Sequence, residues 1–129
     1  MKKIVFVVVV CLSVVLCACK QEPVITKYTI GCFEYYGSSN WNEIQNYLAG
    51  KVDFNKIVEF EGASLSQNDA QARNYYNEQI AKIDKEHVCS MLKESDYYVY
   101  GIKTVNADST YRYIAATKFT ASGASDYTE

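Results

Sequence analysis

The chain has 129 residues and a mass of 14.6 kDa, with 13 Lys and Arg against 15 Asp and Glu. That is enough for one hydrophobic core and too little for two domains. Without Lys2 and Lys3, 11 basic side chains face 15 acidic ones, a balance that argues against phosphate backbones and so against a nucleic-acid partner. Composition is ordinary apart from 12 Tyr, set against a single Trp, a single His and a single Pro.

The N-terminus comes first in chain order. Met1-Lys2-Lys3 is positively charged, and Ile4 to Leu16 is apolar except for Ser13. Spanning a bilayer takes about 20 apolar residues, so this shorter run reads as the hydrophobic segment of a secretory signal. It closes on Leu16-Cys17-Ala18-Cys19, which resembles the lipobox of bacterial lipoproteins. In that family a small residue precedes a cysteine that receives diacylglycerol and becomes the mature N-terminus. Cys11 follows Val10 and Cys17 follows Leu16, both too large before a cleavage point, whereas Cys19 follows Ala18. The resemblance implies that residues 1–18 are removed and that Cys19 carries the lipid. With Lys20 rather than Asp next in line, it also implies the outer membrane. A cleaved secretory peptide with an incidental Cys19 is the alternative.

Lys20 to Thr26 contains Pro23 and no periodic pattern, and reads as a tether. Lys27 to Tyr36 alternates weakly as a first strand, with Tyr28, Ile30 and Cys32 on one face and Phe33 and Tyr35 on the other. After the turn Gly37-Ser38-Ser39, Asn40 and Glu43 mark a helix start. Trp41, Ile44 and Leu48 form its apolar stripe and Gly50 its stop. A second strand falls at Lys56 to Glu61. Ser66 and Asp69 form a capping box for a second helix reaching about Lys93, with Tyr76, Ile80, Ile83, His87 and Met91 on one face. Its first turns are apolar only in alanines, so they overhang the sheet or the helix is interrupted. Asp96 to Val105 and Thr110 to Thr120 are strands joined by Asn106 to Ser109, and residues 121–129 read as a flexible tail.

The order β-α-β-α-β-β over residues 27–120 predicts an α+β or α/β two-layer sandwich. It has a four-stranded mixed sheet with two helices on one face, and its first two strands, if adjacent, are parallel through a right-handed crossover. Ile30, Trp41, Ile44, Leu48, Val58, Phe60, Ile80, Ile83 and Ile102 are the expected core.

Chemistry is sparse. His87, the only histidine, sits on an apolar face and reads as a core residue. There is no G-x-S-x-G, no C-x-x-C, no D-x-D-x-D-G and no glycine-rich phosphate loop. No enzymatic activity, metal or cofactor is therefore expected. Glu59 and Glu61 read as a solvated strand face. Cys32 and Cys89 are left for a possible disulfide or for two separate buried thiols. The helical period points Cys89 away from Ile80, so a bridge requires the helix to bend near Val88.

Hairpin register decides where the tyrosines lie. A four-residue loop pairs Val105 with Thr110, Lys103 with Arg112 and Tyr100 with Ala115. This puts Tyr98, Tyr100, Ile102, Tyr111 and Tyr113 in the core. A shift of one residue instead moves Tyr111 and Tyr113 to the open face. The open face is expected to carry Phe33, Tyr35, Tyr97, Val99 and Ile114 as an interaction surface, unless the C-terminal tail covers it. The resulting expectation is a lipid-anchored, non-catalytic binding or assembly module of the bacterial envelope, with an envelope protein or a glycan as partner. Two alternatives stand beside it. One is an inhibitor or immunity-type protein that inserts the start of the second helix into a hydrolase. The other is a glycan-binding lipoprotein using Tyr35, Tyr97 and Trp41.

Overall fold

Immediately after Pro23 the chain extends into a long strand. In the computed structural model, which describes residues 22–127, this is β1 (Val24–Tyr36), and it is followed by α1 (Trp41–Ala49) and β2 (Lys56–Gly62). Next come α2 (Leu65–Ile80), α3 (Lys85–Ser90), β3 (Tyr97–Val105), β4 (Tyr111–Thr120) and β5 (Gly123–Asp126). The fold is α+β: among the described residues, a five-stranded sheet in the order β2-β1-β3-β4-β5 with three helices. Cys19 and the residues read as a signal segment lie outside the described residues.

Every strand pair is antiparallel, so the mixed sheet expected from the element order does not form. The nine residues of α1 span about 13 Å. They return the chain only to the middle of β1, where Lys56 faces Ile30. β2 then uses the remaining half of that edge in the opposite direction, ending with Gly62 opposite Val24. These pairs also draw residues 24–26, expected in the tether, into β1. The fifth strand comes from the expected tail: Gly123 to Asp126 pair with Thr120 to Thr117.

The helices depart from the sequence pattern at two caps. Asn40 caps α1 as expected, accepting from the Glu43 N–H at 3.2 Å. At α2 the cap is Ser64, which accepts from the Gln67 N–H, and not Ser66. Asp69 is thereby released for contacts with the sheet. The long second helix is interrupted. Tight turns bond the Lys82 N–H to Gln79 O and the Ile83 N–H to Ile80 O, and Asp84 then caps α3 by accepting from the His87 N–H. The break resets the helical phase. His87, expected in the core, is exposed beside the Tyr47 ring, while Val88 and Cys89 turn inward. The start of α2 does not overhang, because Asn68 is fully buried and its Nδ2 donates to Val24 O and Thr26 Oγ1 at 2.9 Å each.

Ile30, Ile44, Leu48, Ile83 and Ile102 are buried as expected, and Trp41, Val58, Phe60 and Ile80 pack half-buried around them. Tyrosine supplies much of the interior. Tyr76 OH is shared with Thr117 Oγ1 at 2.6 Å and reaches Tyr100 O at 3.1 Å, whereas the buried Tyr98 OH has only the Cys32 thiol beside it. Substituting each with Phe should therefore have unequal effects. Tyr76→Phe leaves a buried carbonyl and hydroxyl short of a partner and should cost about 1–3 kcal/mol. Tyr98→Phe gives up only a weak contact with a thiol and should change stability by less than about 1 kcal/mol. Urea unfolding of both variants checks the pair, and equal losses would contradict it.

Asp96, at the foot of β3, ties down the turn after β1. Its carboxylate accepts from the N–H groups of Ser38 and Ser39, at 3.0 and 2.8 Å, and from the Ser39 hydroxyl. The hydroxyl and these amides hold the carboxyl below its usual range. A depressed folded-state pKa contributes stability above the unfolded value, near 4, and that stability is lost as pH falls through the folded value. Wild type should therefore lose stability below about pH 4 more steeply than Asp96→Asn. Melting both proteins across the acid range tests this, with parallel curves as the contrary result.

Candidate functional site

The sheet has two unlike faces, and two β-bulges decide which side chains occupy each. In the β3–β4 hairpin the loop has five residues, not four. The Asn106 N–H donates to Thr110 O, and Asp108 accepts from both the N–H and the hydroxyl of Thr110, so Thr110 belongs to the turn. Val105 then faces Tyr111, Thr104 faces Arg112 and Lys103 faces Tyr113. The register shifts before Ile102 meets Ala115, leaving Ile114 as the extra residue. Tyr111 and Tyr113, expected in the core, thus share the open face with Lys103. Ile114, expected on the open face, joins the core cluster with Ile102.

A second shift lies in β1, between Cys32 and Glu34, and leaves Phe33 unpaired. Tyr35 then pairs with Tyr98 on the helix side and packs on Trp41 at 5.0 Å. Of the five residues expected to form one surface, Phe33, Tyr97 and Val99 remain together, and Tyr35 and Ile114 lie on the opposite face. The trio Tyr35, Tyr97 and Trp41, considered as a sugar platform, is likewise divided between the faces.

Open-face side chains are organised around two ammonium groups. Lys103 Nζ lies 4.7 Å from the Phe33 ring centre, 4.7 Å from that of Tyr113 and 5.0 Å from that of Tyr111. Lys118 Nζ lies 4.5 Å from the Tyr97 ring, which stacks on Tyr36 at 5.8 Å. Each cation is held against ring faces by their quadrupoles. Glu34 accepts from Tyr113 OH at 3.1 Å and from Tyr127 OH at 3.0 Å. Tyr127 is anchored by its N–H on Ala116 O. It covers part of this face, and Val99 is fully buried there. Tyr36 and Tyr111 remain 61% exposed each, at opposite ends of the layer.

Between α2 and the outer edge of β4 lies a cleft of about 500 Å³, lined among others by Arg73, Asn77, Tyr111, Arg112, Asp126 and Tyr127. Arg73 and Arg112 are the only arginines in the chain. Arg112 is clamped: Nε donates to Asn106 Oδ1 at 3.0 Å, and Nη2 sits 3.0 Å from Asp69 Oδ2. Asp69 also accepts from Tyr28 OH at 2.6 Å. Arg73 Nη1 donates to Ile114 O, the bulge carbonyl. Sequence reasoning singled out neither arginine as a pair, and the only signal available was their rarity.

Cys32 and Cys89 are free thiols. Of the two outcomes left open, the separate thiols are found: Cys32 lies on β1, β3 intervenes, and Cys89 packs by Thr120 on β4. Two strand spacings are about 9.6 Å, beyond the Cα separation of about 7 Å that a disulfide tolerates. Burial pushes both thiols up, away from nucleophilic reactivity. Among the described residues no group of three His, Cys, Asp or Glu is placed to hold a metal ion, and no helix is long and apolar enough to cross a membrane. No protein family matches the chain, and no curated protein or solved structure shows significant similarity to it.

Proposed function

We propose that the protein is a non-catalytic binding module of the bacterial cell envelope, held at the outer membrane by lipid on Cys19, with the open sheet face as its contact surface. The observation that carries this reading is the lysine–tyrosine layer of that face. Tyr111 stands exposed beside Lys103, Tyr36 stands exposed on the Tyr97 ring that Lys118 covers, and no helix among the described residues lies over them. Rings pre-positioned by cations lose little freedom when a partner covers them, and aromatic residues are the commonest anchors of protein interfaces. In this reading the domain is two-layered, with its helices on the far side of the sheet from the contact surface.

The anchor sets the reach. Because β1 begins at Val24, only Lys20 to Pro23 separate the lipidated cysteine from the sheet. Fully extended they span about 14 Å, so a partner would be met close to the bilayer surface.

A photo-crosslinking amino acid placed at Tyr36 or Tyr111 in intact cells tests the reading. It should give one shared adduct, absent when the probe is at Glu78 on α2. The double variant Tyr36→Ser/Tyr111→Ser should abolish that adduct from a probe at Val105 while shifting the melting temperature by no more than about 3 °C. An adduct formed only from α2 would place the contact elsewhere.

A further inference from the structure

The cleft between α2 and β4 has a chemistry of its own and shares only Tyr111 with the open-face reading. Its volume of about 500 Å³ falls within the roughly 300–1,000 Å³ of small-ligand pockets. Both arginines also line a second recess, with Leu65, Ser66, Asp69 and Ala70. Arg112 is pre-organised by Asp69 and Asn106, with Nη1 unclaimed among the described residues. Arg73 is exposed and bonded through Nη1 to a carbonyl alone. It has no carboxylate partner among the described residues, although the chain as a whole is acidic.

The other groups narrow the ligand. An added peptide strand is disfavoured, because the β4 edge is blunted by the Ile114 bulge, and its carbonyls at Ile114 and Ala116 are taken by Arg73 and Tyr127. What the cleft offers is an exposed ring at its mouth, Tyr111, with the Asn77 carboxamide and the Asp126 carboxylate beside it. Lys103 occupies one face of that ring at 5.0 Å. An aromatic face complements the C–H face of a sugar ring, and amide and carboxylate side chains take vicinal hydroxyls in pairs. We propose that this cleft binds an acidic saccharide: a uronate carboxylate sits on Arg73 and Arg112, a sugar ring lies on Tyr111, and hydroxyls meet Asn77 and Asp126. Asp126 opposes a second carboxylate close by, so the site selects one charge per ring and not a dense polyanion.

Titration calorimetry on the purified protein tests the assignment with three probes. These are trigalacturonate, maltotriose as its neutral counterpart, and a glutamate-rich hexapeptide that carries carboxylates without sugar. Trigalacturonate should bind, weaken as salt is raised, and lose about tenfold or more in Arg73→Gln. Maltotriose and the peptide should each bind at least about tenfold more weakly. Asn77 is exposed and its side chain bonds to no other described residue, so Asn77→Ala should weaken binding severalfold with an unchanged melt, and the test does not depend on Arg73 alone. Tyr36→Ser, on the open face, should leave trigalacturonate binding unchanged. Failure of trigalacturonate to bind, equal affinity in Arg73→Gln and Asn77→Ala, or peptide affinity matching the saccharide would each overturn the proposal. None of these results bears on the open-face adduct.

Discussion

Tyr100→Ala should lower the unfolding free energy by about 3–5 kcal/mol, the range for removing a large buried ring. The ring is fully buried, stacked between Phe54 at 6.3 Å and Tyr76 at 5.8 Å, and its hydroxyl donates to Asp53 O at 2.7 Å. Three separate losses coincide: apolar burial, ring stacking, and a carbonyl left without its donor. Total stabilities of small domains are about 5–15 kcal/mol, so this one change brings the protein near its folding threshold. Urea unfolding followed by the single Trp fluorescence reads the effect, and a loss under about 1 kcal/mol would show that the stack is not a structural support.

Gly101→Val, one residue on and on the other face of the sheet, should be comparably damaging by the opposite mechanism. A Cβ at Gly101 would lie 2.7 Å from Ala116 Cβ and 2.9 Å from Ala115 O. Neither is the tip of a flexible side chain, so the strands must move. Overpacking costs about 1–3 kcal/mol and occasionally more, and the γ-methyls of Val place this case at the upper end. The melting temperature should fall by about 12 °C or more. Ala116→Gly in the same chain should return part of the loss, because Ala116 supplies one of the two clashing atoms. Strict additivity of the two changes would show that the sheet relaxes elsewhere.

Much of the secondary structure could be read from periodicity: the Asn40 cap, the Ile44–Leu48 stripe, β2 from Lys56, and both strands of the hairpin. The chain order of the elements carried no such signal for their pairing. Parallel or antiparallel return after α1 depends on how far a nine-residue helix carries the chain, which alternation does not encode. The face assignments failed at Phe33 and Ile114, because a bulge is one unpaired residue and neither position has the glycine that betrays some bulges. Two local signals were present. Ser64 stands three residues before Gln67, and Asp84 precedes Glu86 and His87 as a cap does. Reading Asp84 as a cap would have split the second helix, exposed His87 and turned Cys89 inward.

The place of β1 in the sheet also shapes how fast the fold can form. β1 pairs on one side with β2 and on the other with β3, where Tyr36 meets Tyr97 and Tyr28 meets Thr104. Those second partners are separated by more than half of the described chain. Closing such distant contacts costs loop entropy before any burial compensates it, so folding belongs on the millisecond-to-second side of the range for small domains. The β3–β4–β5 meander is local and can form on its own schedule, but β1 has a bare edge until β3 exists. A chain emerging in order from its N-terminus therefore has no complete core until the last third has been made. The interval before that is when its apolar strands are most open to a chaperone or to aggregation.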